Sequence, residues 1–172
     1  MKIILIRHGE TFSTINRQWY GYGFRIFSAP ILEEGKPTII RAAEFLKTID
    51  TDYHLASPFR RCRETAEIIS KVTGKQFIFD RRLGELFEPF WLFKRRVLHI
   101  ARDIENSSYN NILICTHGAV IASLTHYFMS GNINIKNLSD FPRPGVISII
   151  ENKKLTQLNF NNPIQEELSK KS

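Results

Sequence analysis

Lys2-Ile3-Ile4-Leu5-Ile6-Arg7-His8-Gly9-Glu10-Thr11 passes from four consecutive aliphatic residues to charge and glycine within three positions. An unbroken apolar run of this length reads as a strand covered on both faces, which is the habit of a parallel sheet. The polar turn after it then lies at the strand's carboxyl end, the edge of an open α/β sheet where ligands collect. The same design returns in Ile112-Leu113-Ile114-Cys115, which runs into Thr116-His117-Gly118. Two buried strands, each ending in His-Gly, frame the reading of the remaining chain.

Outward from these strands, residues 53–56 lead into Ser57-Pro58 as a third strand candidate, and residues 76–79 follow Gly74 and stop at Asp80 as a fourth. Apolar residues recur at spacings of three and four in Ile39, Ala42, Leu46 and Ile49, in Phe59, Cys62, Ala66 and Ile69, and in Val120, Leu124 and Phe128, which is the helical period. Pro37 suits the first turn of its helix, where a missing N–H costs nothing. Residues 89–106 predict another helix, with Phe90, Phe93, Val97, Ile100 and Ile104 as its buried stripe and Lys94, Arg95 and Arg102 mostly on the other side. Residues 145–150 and 155–160 predict a hairpin through Asn152-Lys153. This alternation predicts a three-layer α/β/α sandwich with a largely parallel central sheet. One domain is expected over residues 1–160, followed by a polar tail at 161–172, with no repeat or linker.

A chain of 172 residues is long enough for one core, and its 42 % hydrophobic and 24 % charged content excludes disordered and fibrous classes. No stretch nears the roughly 20 apolar residues of a membrane span, so no membrane partner is expected. The opening apolar run is too short for a secretory signal. Cys62 and Cys115 lie in apolar-periodic segments and read as free thiols, which suits the cytoplasm. Subtracting 17 acidic from 24 basic residues gives +7, a balance that draws anions. The arginines gather at 60–63, 81–82 and 94–96, beside chemical motifs and without a base-stacking or helix-turn-helix pattern, so nucleic acid is not expected as a partner. Oligomeric state is left open.

A neutral imidazole whose other nitrogen is held by a backbone carbonyl can accept a phosphoryl group, and a guanidinium can grip two phosphate oxygens at once. His8 and Arg7 supply that pair, and Gly9 lets backbone approach a phosphate. His117 precedes a helix, where free N–H groups and the positive dipole end attract anions. From the residues alone, either histidine also fits as a core or turn residue. A third element, Ser57-Pro58-Phe59-Arg60-Arg61-Cys62-Arg63-Glu64-Thr65-Ala66, follows a strand and opens a helix, and Leu83-Gly84-Glu85 supplies a carboxyl.

In this order the four motifs resemble the histidine phosphatase superfamily, also called phosphoglycerate-mutase-like. Its pattern runs Arg-His-Gly-Glu, Ser-Pro-Leu-x-Arg-Ala-x-Gln-Thr-Ala, Leu-x-Glu and a late Ser-His-Gly. The match spans residues 2–120, and Leu32-Glu33-Glu34-Gly35 resembles the family's Leu-Thr-x-x-Gly. The resemblance implies that His8 is the phosphoryl acceptor, that Arg7, Arg61 and protonated His117 surround the phosphate with Gly118 beside them, and that Glu85 donates a proton to the leaving oxygen and then activates water. Such a carboxyl must be partly protonated near neutral pH, which requires desolvation to outweigh the cations nearby. Glu88 is its rival, and Arg60 and Arg63 read as solvated helix-face charges. Those cations stabilise phosphoryl transfer without a metal. No Asp/Asn cluster or Walker loop is present in the sequence, so neither metal nor cofactor is expected.

The chain departs from the pattern in places. Thr14 stands where the family has asparagine, Asn16 comes two residues later, and Tyr20-Gly21 loosely matches a Gln-Gly segment; Thr14, Asn16 and Gly21 are the candidate phosphate contacts of that loop. The Gly-x-x-Glu-Gly segment is replaced by Phe87-Glu88-Pro89-Phe90-Trp91, so substrate selection transfers least. The expected function is a metal-independent phosphomonoesterase acting on a small phosphorylated metabolite. About 30 residues separate Glu85 from His117 and the chain ends soon after its last strands, whereas the resemblance implies a longer insertion and tail in the mutases, which favours hydrolysis. The 89–106 helix is expected to be a lid over the site, with Lys94, Arg95 or Trp91 touching the substrate beyond its phosphate. The alternatives are a phosphohistidine or phosphoprotein phosphatase, marked by a shallow site with no covering helix, a phosphoglycerate-mutase-type phosphotransferase, and a non-catalytic phospho-ligand binding module.

Overall fold

The opening apolar run forms β1 (Lys2–Arg7), and residues 3–6 are fully covered, as a strand with helices on both faces must be. The computed structural model describes residues 1–16 and 25–161; the side chains of residues 16, 25 and 26 also lie outside that description. Two short helices follow β1, α1 (Phe12–Asn16) and α2 (Arg25–Ser28). Then come α3 (Lys36–Lys47), β2 (Tyr53–Ala56), α4 (Arg60–Thr73) and β3 (Ile78–Phe79). The chain continues through α5 (Phe90–Glu105), β4 (Asn111–Thr116), α6 (Gly118–Ser130), β5 (Val146–Glu151) and β6 (Lys154–Asn159).

The strands make one sheet in the order β3-β2-β4-β1-β5-β6, in which the first four run parallel, β5 runs against β1 and β6 runs against β5. Strand alternation sends Ile3, Leu5, Ile112 and Ile114 to one face, where they meet Phe93, Val97 and Ile100 of α5 and Val120 and Leu124 of α6. Ile4, Ile6, Leu113 and Cys115 face the other way, against Ile39 and Leu46 of α3 and Cys62 and Ile69 of α4. The result is the predicted three-layer sandwich. Both cysteines are buried free thiols. The register pairs Arg7 with Thr116, so the residues that follow, His8 and His117, leave the sheet side by side.

Two expectations need correction. The 89–106 helix is not a lid: Phe93, Val97, Ile100, Ala101 and Ile104 are buried in the core with the strands, so α5 is a layer of the sandwich. Its apolar stripe has the width that docking on a sheet demands. The strand at 76–79 shortens to Ile78 and Phe79, because Phe77 turns into the α3 and α4 layer. The hairpin is as expected, with Asn152 and Lys153 at φ 50° and 56°, the left-handed pair of a tight turn matched to sheet twist. Glycines at φ 76° and 77°, Gly74 and Gly131, close α4 and α6. Among the described residues no helix is long and apolar enough to cross a membrane.

Since Phe93 is fully buried beneath the sheet, Phe93→Ala should leave a cavity and cost about 3–5 kcal/mol. Urea unfolding should show a lower midpoint with an unchanged slope.

Candidate active site

Arg7 ends β1 and His8 follows it, fixed by its own N–H donating to the Thr116 carbonyl at 3.0 Å. The His8 ring lies with Nδ1 2.9 Å from the Gly9 carbonyl oxygen. A carbonyl only accepts, so Nδ1 carries the proton and Nε2 keeps its lone pair. That nitrogen accepts from Nε of Arg61 at 3.1 Å. Arg61 is on the first turn of α4 and only 2 % exposed, because the extended Phe59 delivers the helix start directly beneath the end of β1. Thr65, one turn on, accepts from the Gly9 N–H at 2.9 Å and donates to the Arg61 carbonyl at 2.7 Å. One hydroxyl thus ties the histidine loop to the arginine helix.

His117 caps α6, its ring centroid 5.2 Å from that of His8, with Nε2 2.7 Å from Ser57 Oγ. Glu85 completes the group: its Oε2 lies 3.6 Å from Nη2 of Arg61 and 3.6 Å from Nδ1 of His117. The loop bearing it is held from two sides. Thr116 donates to the Leu83 carbonyl at 2.7 Å, and the Arg96 guanidinium donates to the carbonyls of Arg82, Gly84 and Glu85 at 2.7, 2.8 and 3.2 Å.

Arg7 donates from Nη1 to the Pro142 carbonyl at 3.3 Å and lies 4.6 Å from the Phe141 ring. Its Nε is buried with no hydrogen-bond partner among the described residues. An unmet buried donor costs about 1–3 kcal/mol, so such a group next to an anion pocket reads as a ligand in waiting. Gly118 makes room for Phe141, since a Cβ there would come within 2.8 Å of the ring.

Burial lowers the pKa of both His8 and His117 well below the ordinary imidazole value, and Arg61 and Arg7 push the same way. Both rings are therefore biased toward the neutral form, and the protonated His117 expected from the resemblance would need the charge of a bound phosphate beside it. For Glu85 burial raises the pKa, and this outweighs the lowering by Arg61, the Leu86 N–H, Arg7 and Arg96. Burial acts on Glu88 in the same sense, but its 2.6 Å bond to Arg96 prevails and holds it below the usual carboxylate range. The structure thus separates the two carboxyls, one biased toward the acid form and one kept ionised.

Arg7, His8, Arg61, Glu85, His117 and Gly118 come together in this site. Thr14 does not join them: its hydroxyl accepts from the Thr11 N–H at 2.7 Å and donates to the Thr11 carbonyl at 2.9 Å, closing the turn into α1. Gly21 and the side chain of Asn16 lie outside the described residues. Arg60 pairs with Glu64, and Arg63 donates to the Pro58 carbonyl and covers Phe79, so both are surface groups. Phe141 and Arg96 were given no role by sequence, and neither were Ser57 and Thr65, although both stand inside a quoted motif and so carried a usable signal. His8, Glu85 and His117 bring possible metal ligand atoms within 4.8 Å of one another. Two guanidiniums in the same pocket favour an anion there over a cation.

A sequence model of the histidine phosphatase superfamily, branch 1, matches residues 3–91. The chain belongs to this superfamily. The protein named probable phosphoglycerate mutase GpmB of Escherichia coli O139:H28 is 31 % identical over 106 residues, covering 62 % of this chain and 47 % of that one. The chain thus spans about half the length of the curated relatives it matches. In structure it is similar to the alpha-ribazole phosphatase of Shigella flexneri, with TM-score 0.76 and 22 % identity over 94 % of this chain and 96 % of that one. It is also similar to the protein histidine phosphatase SixA complexed with tungstate, with TM-score 0.63 and 16 % identity over 93 % and 97 % of the two chains. These likenesses concern the fold, and they agree with a histidine phosphatase sandwich over nearly the whole chain.

Within this histidine phosphatase site, the Thr65 bridge can be tested directly. Thr65→Val keeps the shape but leaves the Gly9 N–H unmet, which should cost about 1–3 kcal/mol in urea unfolding. Orthophosphate binding followed by calorimetry should weaken with it, as the helix start that carries Arg61 loses its link to the Gly9 backbone.

Proposed function

We propose that this chain is a metal-independent phosphomonoesterase working through a phosphohistidine on His8. The observation that carries the reading is the Nε2 lone pair of a neutral, buried His8 directed at Arg61, with a carboxyl of raised pKa close by. In the proposed reaction Nε2 attacks phosphorus while the ester P–O bond breaks, and protonated Glu85 gives its proton to the leaving oxygen. The Glu85 carboxylate then takes a proton from water, the resulting hydroxide attacks phosphorus, and the P–N bond breaks to release orthophosphate and restore both groups. Arg7, Arg61 and the hydrogen-bonding His117 hold the equatorial oxygens, over which the charge of a loose transition state spreads.

For the substrate we favour a small phosphorylated metabolite, since the alpha-ribazole phosphatase and the phosphoglycerate mutase named above both act, by name, on small phosphoesters. A second reading, a phosphoprotein or phosphohistidine phosphatase, is supported by the likeness in fold to the protein histidine phosphatase SixA. A panel of sugar, nucleotide, cofactor and peptide phosphates, assayed with a chelator present, separates the two. His8→Ala should abolish release of phosphate from p-nitrophenyl phosphate; a retained rate would refute the mechanism.

The pKa directions fix the pH profile. The productive form has His8 unprotonated, which its lowered pKa permits well below pH 6.5, and Glu85 protonated, which its raised pKa permits above the usual carboxylate range. Activity should therefore be bell-shaped with its optimum on the acid side of neutrality. Glu85→Gln should remove the alkaline limb and slow an alkyl phosphate by about 10²–10⁴, with a smaller loss on p-nitrophenyl phosphate, whose leaving group needs no proton.

A further inference from the structure

Away from the phosphate pocket, a trough of about 890 Å³ runs between residues 81–88 and the outer face of α5. Six cations line it, Arg81, Arg82, Lys94, Arg95, Arg96 and Arg102, against one carboxylate, Glu88. Arg96 binds Glu88, and Arg82 binds Asp80 and Asp103. Arg81 and Arg95 have no ion pair among the described residues, and both are exposed. Between these charges lie large apolar groups in contact with water: Trp91, 65 % exposed, Phe87, 42 % exposed, and Leu92. Trp91, Arg95 and Arg102 recur at helical spacing, so they form one stripe along about 16 Å of α5.

Exposed tryptophan beside unpaired arginine is the composition of an interface centre, where an aromatic ring supplies area and the guanidiniums select charge. We propose that this trough is a docking site for an acidic polypeptide segment of a partner protein, one that alternates carboxylates with apolar side chains. Charge complementarity selects the carboxylates. The aliphatic lining of Leu92 and Leu98 seats the apolar side chains of a polypeptide, whereas nucleic-acid bases would draw only on the rings of Trp91 and Phe87. The site is coupled to the phosphate pocket: Arg96 forms part of the trough and also grips the carbonyls of Gly84 and Glu85. An occupant that draws on Arg96 therefore reaches the loop that carries Glu85.

The test uses the full chain and a fluorescein-labelled 12-residue peptide of alternating Glu and Leu, read by anisotropy. The peptide carries no phosphoryl group, so the outcome stands apart from the hydrolytic reading. Binding is expected with a Kd on the order of 10⁻⁵ M at low salt, weakening as salt rises. Trp91→Ala, and separately the pair Arg95→Glu and Arg102→Glu, should each weaken it at least about tenfold. The exposed pair Lys153→Glu and Lys154→Glu changes net charge equally on the far hairpin and should alter it by less than about twofold. Equal weakening by that remote pair would reduce the effect to overall charge and overturn the proposal. It also fails if the trough variants bind as the native chain does, or if a (dT)12 oligonucleotide binds more tightly than the peptide. Arg95→Gln, a milder change, should fall between the native chain and the double reversal if folding is disturbed by the latter.

Discussion

A neutral imidazole facing a guanidinium in a water-poor pocket is the contact from which the rest of this molecule takes its shape. Charge is costly to bury without partners, and here the charge belongs to Arg61, only 2 % exposed. It is accommodated because the His8 lone pair and the Glu85 carboxyl lie on two of its edges. Both histidines are held toward the neutral form first by burial and then by the permanent guanidiniums, since a third and a fourth cation in so small a volume would raise the energy steeply. The parallel pairing of β1 with β4 is what brings the two imidazoles to the same edge.

The surrounding hydrogen bonds show how a pocket dominated by positive charge keeps its geometry before any anion arrives. Small hydroxyls do much of this: Ser57 on His117, Thr65 between Gly9 and Arg61, Thr116 on the Leu83 carbonyl. Each satisfies a buried group that would otherwise be an unmet cost, and each joins two segments distant in the chain. Arg96 extends the framework outward by gripping three carbonyls of the acid loop. Glu88, one turn of loop further on, answers the charge of Arg96 and is thereby kept from acid duty.

Much of this was legible in the chain itself, for definable reasons. The two apolar runs ending in His-Gly carry strand, edge and residue type together, so β1, β4, His8 and His117 could be read at once. The stripe of Phe93, Val97 and Ile100 disclosed a helix and its buried face. Periodicity reports that a face is covered but not by what, and the same helix was therefore expected as a lid when it is a wall of the sandwich. Thr14 was placed by register with a family pattern, while its hydroxyl answers to the local demand of the turn from Thr11 to Thr14. Thr65 matched a motif residue but its role gave no sign, since a threonine within a helical period looks like any other and its partner Gly9 lies 56 residues away. The charge state of His117 was also out of reach, because it depends on burial that only the folded chain reveals.

The two margins of the sheet are unequal. β3 offers only Ile78 and Phe79 at one margin, whereas β6 leaves six residues along the other. A lone strand from a second molecule would find almost no row of open amides beside β3, so any self-association by strand addition would have to begin at β6. There the approach meets Lys153 and Lys154 at the head of the strand, and a parallel, in-register stacking would bring these ammonium groups against their own copies, where they repel. Resistance to fibrous stacking is therefore built in twice, by brevity at one margin and by like charge at the other.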